Sequence, residues 1–420
     1  MDGLPSSMDP VDLARFIRAG DRVLCGQGCA EAVALTGRLA EVRRQVGPFE
    51  LFVGPVFSDS FADAPAGGLR FASYGAMGRA ARLARVGVLE VWPIHYGTLA
   101  AGFADGTIRA DVVLLQLAAG PAGYGAALAN DYTVAAARHA RCVVAEVNRR
   151  APWCHGAELD PAIRIDALIE TDRDPVGLAP AAVGEAERAI ARHVAALVPD
   201  GATLQIGIGA IPDAVLSELG GHRDLGIHSG LIGDRVVDLI EGGAVTNAVK
   251  AVDPGLTVSN TAFGTERLFR FIDRNPAVHL RPASHTHAPA VLAAQPRMTA
   301  INSAIEVDLS GQINAERADG APVGGVGGLV DFTRGARASQ GGRAIVALRS
   351  TDRSGAISRI VPRVAAVTVA RSDVDTVVTE HGVAELAHLG PAARARALIA
   401  VAAPQHRDAL ARSLGEGAAA

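Results

Sequence analysis

Three stretches of the chain gather residue types that can act on a carbonyl group. In LGIHSGLIGDRVVDL, residues 225–239, an apolar run delivers His228 and Ser229 to a glycine turn at Gly230, and a helix follows. His95, in VWPIHYG, also follows an apolar run. Both histidines thus fall where a strand should end, and ligands of open α/β sheets bind outside the carboxyl ends of the strands. Either imidazole is a candidate general base, and either serves equally as a hydrogen-bonded structural histidine. GIGAIP, 207–212, sets Gly207 and Gly209 between the run ATLQI and a helix expected to begin near Pro212. Backbone N–H groups there can approach an anionic or carbonyl oxygen closely. A tight connection gives the same pattern, and the dinucleotide fingerprint G-x-G-x-x-G is missing.

PVGGVGGLVDF, 322–332, holds four glycines among the five residues 324–328. So many permissive positions are costly in folding entropy, which favours a loop whose backbone meets a ligand. No Gly-Lys-Ser/Thr follows, which disfavours a Walker-type phosphate loop. In INSAIEVDLSGQINAE, strand alternation puts Glu306 and Asp308 on one face, either as working carboxylates or as a solvated edge. SHTHAP likewise puts His285 and His287 on one strand face, but two ligands without a third do not make a metal site. Cys154 adjoins His155, and neighbours on a strand face opposite ways, so no Cys/His dyad follows.

These side chains need elements to hold them. Asp9 and Pro10 suit a helix start, and PVDLARFIRAG predicts a helix ending near Gly20. From there one grammar repeats: short β-branched apolar runs, glycine-rich turns, then helical stretches, as in DRVLCGQGCAEAVALTGRLAEV and ADVVLLQLAAGPAGYGAALANDYTVAAARHA. Such runs are strands of a parallel sheet covered on both faces, hence an α/β class with open, mainly parallel sheets. Pro175, Pro180 and two glycines interrupt TDRDPVGLAPAAVG, 171–184, and set a domain boundary there. The expected domains are 1–180 and 181–420. In the second, AERAIARHVAALV puts Ile190, Val194 and Leu197 on one helical face before the grammar restarts at ATLQI.

With 420 residues, 49% hydrophobic and 20% charged, the chain can build two or three cores. A net charge of −4 and the lack of a basic, aromatic-interleaved patch argue against nucleic acid as a partner. No uncharged run reaches the roughly 20 residues of a membrane span, and no leader is recognised, so a cytoplasmic protein is expected. Four cysteines, Cys25, Cys29, Cys142 and Cys154, make no disulfide framework. Lys250 is the sole lysine, which leaves little room for Schiff-base chemistry.

Seven segments, in order, resemble the acetyl-CoA hydrolase/transferase family, which includes 4-hydroxybutyrate CoA-transferases. They are ATLQIGIGAIPDAVLSEL, LGIHSGLIGDRVVDLIEGGAVTN, INSAIEVDLSGQINAE, GVGGLVDFTRGA, GGRAIVALRST, ISRIVPRV and VVTEHGVAEL. The likeness extends more loosely through VVLLQLAAGPAGYGAAL and AEVNRRAPWCHG, so it covers nearly the whole chain.

The resemblance implies two α/β domains of the CoA-transferase type with an active site in the cleft between them, a homodimer, and acyl-CoA thioesters as substrates with no tightly bound cofactor or metal. In the family, a glutamate in the segment similar to 225–239 attacks the thioester, and an acyl-glutamyl anhydride and a glutamyl-CoA thioester follow. The matching position is Gly230, which has no side chain to form an anhydride. Leu329 stands where the family has glutamine, and SHTHAP and NRRAPWCHG also depart from it. What the resemblance retains is Gly325, Val326, Gly327 and Gly328 as a CoA-contacting loop, and Gly207 and Gly209 with N–H groups for an oxyanion. Three functions follow. The first is thioester hydrolysis or another acyl-CoA conversion without glutamyl-CoA, with His228 or His95 as base. The second is CoA transfer through a substitute carboxylate, Asp234 or Glu306, Asp234 lying one helical turn beyond the gap. The third is an acyl-CoA-binding module or partner subunit without turnover.

Overall fold

Apolar runs of three to nine residues between glycine-rich turns fold as strands. The computed structural model describes residues 12–62, 68–121 and 123–416. The first strands are β1 (Arg22–Cys25), β2 (Glu50–Phe52), β3 (Arg70–Ser73), β4 (Leu89–Val91), β5 (Val112–Gly120), β6 (Gly123–Gly125), β7 (Cys142–Asn148) and β8 (Ala167–Thr171). They form a sheet in the order β4-β3-β2-β1-β5-β7-β8, with β6 folded back antiparallel on β5 and the other neighbours parallel. Both faces are apolar, as a sheet covered by helices requires. Val23, Leu51, Leu114 and Val144 pack into one core, and Leu24, Phe52, Val113 and Val143 into the other. Full burial of each such side chain contributes roughly 1.5–3 kcal/mol.

Farther along come β9 (Thr203–Ile206) and β10 (Gly226–Ile232), then β11 (Thr257–Ala262) and β12 (Val278–Leu280). After these lie β13 (Met298–Ser303), β14 (Glu306–Asp308), β15 (Ile313–Asn314), β16 (Arg317–Ala318), β17 (Ala321–Pro322), β18 (Arg343–Ala347), β19 (Ile360–Val361), β20 (Thr376–Thr379) and β21 (Gly382–Glu385). A second sheet runs β10-β9-β13-β18-β20-β21, parallel except for the last pair. A small sheet, β15-β14-β19, stands apart. The protein is therefore α/β with two open, mainly parallel sheets.

The chain divides into two compact units: Met1–Ala179 with Val258–Thr286 and Ala321–Gly327, and Pro180–Thr257 with His287–Gly320 and Gly328–Ala420. Segment 258–286 enters the interior of the first unit. The Tyr96 hydroxyl donates to Asn260 Oδ1 at 3.0 Å, and Asn260 Nδ2 donates to the Asn130 carbonyl at 2.6 Å. Gln27 links Tyr96 to Tyr74 in the same network. Beside it Asp131 caps the helix Tyr132–Ala136 through Thr133, and burial raises its carboxyl to about pKa 6.

Several local expectations change. The proposed start at Asp9 and Pro10 lies outside the described residues. The remainder of that helix is only a 3₁₀ turn, Leu13–Arg15, capped by the Asp12 carboxylate. SHTHAP is not a strand: Pro282 starts a turn of helix, Ala283–Thr286, with the His285 and Thr286 N–H groups bonded to the Pro282 carbonyl. His285 is inside that helix and His287 just beyond it, so the two share no strand face. The helix after ATLQI begins at Ala210 rather than near Pro212, because proline is tolerated in a first turn, where N–H groups have no intrahelical acceptor.

Candidate functional site

β9 lies between β10 and β13, so the chain leaves it to one side and later returns on the other. That reversal opens a crevice at the carboxyl ends of the strands. Register pairs Ile227 with Leu204 and Ile301 with Ile206; carried three steps onward from the first pair and one from the second, it sets Gly230, Gly207 and Asn302 in one row. Ser229 supports the row, its hydroxyl donating to the Ile206 carbonyl at 3.1 Å. β10 therefore continues through Gly230 to Ile232, and the turn into the next helix falls at Gly233. A glycine inside an apolar run reads as a stop, but Gly230 is not in the left-handed region and the strand runs on to Ile232. His228 is correspondingly inside the strand, two residues before Gly230 and on its face.

His228 is fully buried. Its Nδ1 faces the side-chain amide of Gln295, whose Nε2 lies 3.4 Å away and also donates to the Val252 carbonyl at 3.0 Å. Lys250 is buried against the residue before His228, its ammonium donating to the carbonyls of Ile227 at 2.9 Å and Leu256 at 2.6 Å. The sole lysine is thus engaged in tying down the backbone that enters the site.

At Gly230 a Cβ would lie 3.1 Å from His287 Nε2 and 3.2 Å from both His287 Cε1 and Phe332 Cε2. At Gly328 a Cβ would lie 2.7 Å from the same Nε2. The His287 imidazole, stacked at a tilt on Phe332 with centroids 4.7 Å apart, thus fills the space beside two residues that have no side chain. Burial pushes its pKa down to about 3, so the ring is neutral.

Gly207 ends β9, and Gly209, at φ 118° with nothing near its Cβ position, precedes the helix Ala210–Glu218. The N–H groups of Ala210 and Ile211 have no intrahelical acceptor, which suits them to a ligand oxygen. Asp234 opens the helix Asp234–Glu241. Because residue 230 is in a strand, the expected relation of one helical turn between the two positions does not hold. Glu306 accepts from Asn314 Nδ2 at 2.9 Å and faces Arg359 at 3.8 Å. Burial raises the Asp308 carboxyl, but hydrogen bonds from Ser310 and Gln312 outweigh it and hold the group below the usual range. Both carboxylates are occupied in shaping β14 and its turn.

In the first unit His95 precedes the helix Tyr96–Ala104, where β4 has ended, and its side chain makes no capping bond. The next residue ties it to the glycine loop: the Tyr96 N–H donates to the Gly327 carbonyl at 2.9 Å. Gly325 crosses the main chain of Tyr74 and Gly75 so closely that a Cβ would be 2.3 Å from the Tyr74 oxygen. Gly327, at φ 51°, has open space around it, and Val326 between them is buried. The glycines therefore have different causes: 325 and 328 answer to protein packing, 327 to backbone conformation beside space a ligand can enter. The four cysteines are buried thiols, and burial raises Cys25, Cys142 and Cys154 above the ordinary thiol range.

Sequence reasoning passed over Gln295 and gave His287 no place beside Gly230. Gln295 has no local signal, since its contact with His228 spans 67 residues. Gln205 did carry one, as a polar residue in an apolar run, and it forms a reciprocal amide pair with Asn302 at the edge of β9.

The chain as a whole is similar to known proteins. The profile of the acetyl-CoA hydrolase/transferase C-terminal domain matches residues 264–414. The 4-hydroxybutyrate coenzyme A transferase of Clostridium kluyveri is 41% identical over 330 residues, 77% of this chain and 77% of that one. The butyryl-CoA:acetate CoA-transferase of Anaerostipes caccae is 31% identical over 418 residues, 95% of this chain and 93% of the other. Among solved structures, RipA from Yersinia pestis superposes with a TM-score of 0.91 at 30% identity, covering 97% of this chain and 96% of its own.

Proposed function

The chain belongs to the acetyl-CoA hydrolase/transferase family, and from that membership we propose an enzyme that converts acyl-CoA thioesters without a glutamyl-CoA intermediate. The observation that carries this reading is Gly230, with the His287 ring against it where the family resemblance sets a glutamate. A neutral imidazole packed between Gly230 and Gly328 does not attack a thioester as a carboxylate does, and it crowds any side chain at 230.

In the hydrolytic form of this reading, a water oxygen bonds to the thioester carbonyl carbon, the C–S bond breaks, and free CoA and a carboxylic acid result. The N–H groups of Ala210 and Ile211 suit the developing oxyanion, and His228 or His95 handles the proton. Gly327 offers backbone to the CoA portion. No tightly held cofactor enters this chemistry, and the reading includes a cytoplasmic homodimer, for which light scattering is the check. Among the described residues, no helix is long and apolar enough to cross a membrane.

Mass spectrometry after incubation with a panel of short-chain acyl-CoAs and isotopically labelled acetate tests the reading. Free CoA or an altered acyl chain without label in acetyl-CoA is expected. Labelled acetyl-CoA would overturn it, and borohydride trapping would then show whether Asp234 or Glu306 had been reduced to an alcohol. Binding without turnover across the panel would instead make the protein an acyl-CoA-binding module.

A further inference from the structure

We propose that Asn302 donates a hydrogen bond to the thioester carbonyl oxygen of a bound acyl-CoA, and that Gln205 is the positioning residue that holds its amide for this. The proposal rests on the acyl-CoA reading above. Gln205 and Asn302 project on the face of the second sheet that carries residue 230. A Cβ at Gly226 would lie 3.4 Å from the Thr203 hydroxyl oxygen, and one at Gly230 would meet Phe332, whose ring packs in one core with Met298 and Ala300. Alternate residues of a strand share a face, so Gln205, Gly230 and Asn302 lie on the same side. Gly230 and Asn302 are two strands apart in one row, which separates them by roughly 10 Å. The residue between them is Gly207, where a Cβ would have only the Pro212 ring within 4 Å, at 3.8 Å. No side chain of that row bridges the gap. A thioester whose carbonyl carbon lies within reach of position 230 can extend its oxygen across Gly207 to Asn302.

The two carboxamides are bonded to each other. Gln205 Nε2 donates to Asn302 Oδ1 at 3.2 Å, and Asn302 Nδ2 donates to Gln205 Oε1 at 3.0 Å; neither amide has another hydrogen-bond partner among the described residues. The closed pair uses one N–H and one lone pair of each amide, which leaves Asn302 a second N–H. Turning both amides over preserves the pair and still leaves that N–H, so the donor is present in either orientation. Gln205 is buried and Asn302 only partly so, and the outward N–H therefore belongs to the residue that a ligand can reach. An amide already paired has its rotamer fixed before substrate arrives, as a donor to a developing oxyanion requires. Asn302 thus adds a side-chain donor to the N–H groups of Ala210 and Ile211.

Isotope-edited infrared spectra of the full chain with acetonyl-CoA test the proposal. This ketone keeps the carbonyl but sets a methylene between it and sulfur, so it is not cleaved. Bound to the wild type, its carbonyl stretch is expected below the frequency it has in an aprotic solvent. Asn302→Asp still accepts from Gln205 but has no N–H to give, and there the band should rise. In Gln205→Met, where Asn302 loses its holder, the band should broaden. A wild-type band at the aprotic frequency overturns the proposal even if both variants misfold, and so does a band that Asn302→Asp leaves in place. With a turned-over acyl-CoA, Asn302→Asp should lower kcat about tenfold or more and leave KM within about threefold, as expected when an interaction that strengthens in the transition state is lost. A change confined to KM would refute the catalytic role. If the wild type does not bind the analogue, the acyl-CoA reading falls and the proposal with it, whereas a bound analogue with an unshifted band removes the proposal alone.

Discussion

Restoring a side chain at position 230 should be limited by His287. The backbone of Gly230 accepts an L residue without strain, so the cost of Gly230→Ala is packing alone. Its Cβ would stand 3.1 and 3.2 Å from two ring atoms of His287 and 3.2 Å from Phe332, a few tenths of an ångström inside comfortable contact. The imidazole cannot turn away easily, because Gly328 closes on it from the other side and the tilted Phe332 ring packs against it. Overpacking of this kind costs about 1–3 kcal/mol. Removing the ring by His287→Ala leaves a cavity and destabilises by itself, so the informative quantity is the double-mutant coupling. We expect Gly230→Ala to cost about 1–2 kcal/mol in the wild type. In the His287→Ala background the cost should fall below about 0.5 kcal/mol, a coupling on the order of 1 kcal/mol. Urea midpoints at constant m-value measure all four proteins. Additivity within about 0.3–0.5 kcal/mol would refute the reasoning. The catalytic counterpart follows: Gly230→Glu alone should gain little acetate exchange, and Gly230→Glu with His287→Ala should gain more.

Gly325→Ala should displace the loop that carries Gly327, since its Cβ would strike the Tyr74 and Gly75 backbone, and weaken CoA binding by about tenfold or more; calorimetry that finds wild-type affinity would dismiss the loop as a CoA contact. Asp131 keeps its proton to about pH 6 when folded and releases it near its ordinary pKa of 3.8 when unfolded. The folded state then binds more protons between those values, so stability falls as pH rises from about 4 to 6 and is level above, by about 3 kcal/mol in all. Asp131→Asn retains the Oδ1 cap and should flatten that slope in denaturant melts; an unchanged slope would place its origin elsewhere. Lys250, buried with two carbonyl acceptors, should resist reductive methylation in the native protein and react fully only in urea; fast native modification would contradict its placement.

The α/β class was legible because β-branched runs between glycine turns have little alternative to parallel strands. RCVVAEVN became β7, buried along its whole length. What misled were residues whose local signal competes with a tertiary one. Gly230 reads as a turn until the strand is seen to run past it to Ile232. SHTHAP alternates like a strand, yet Pro282 starts a helix before it. The glycine-rich loop was noticed, but the causes of its glycines were not, because Gly328 answers to His287 and Gly325 to Tyr74, far away in sequence. Gln295 was invisible for the same reason: its amide meets a histidine 67 positions earlier.

The first unit's dependence on 258–286 and 321–327 also sets an order of events during synthesis. When residue 179 leaves the ribosome, Tyr96 has no Asn260 to receive its hydroxyl, and the Asn130 carbonyl lacks its amide partner. The nascent amino-terminal segment must wait for about 150 further residues, including the start of the second unit, before its interior is satisfied. A fragment cut at the visible linker would be caught at that waiting stage, with buried polar groups exposed to chaperones and proteases. For this chain the smallest unit that folding machinery can release is close to the whole polypeptide.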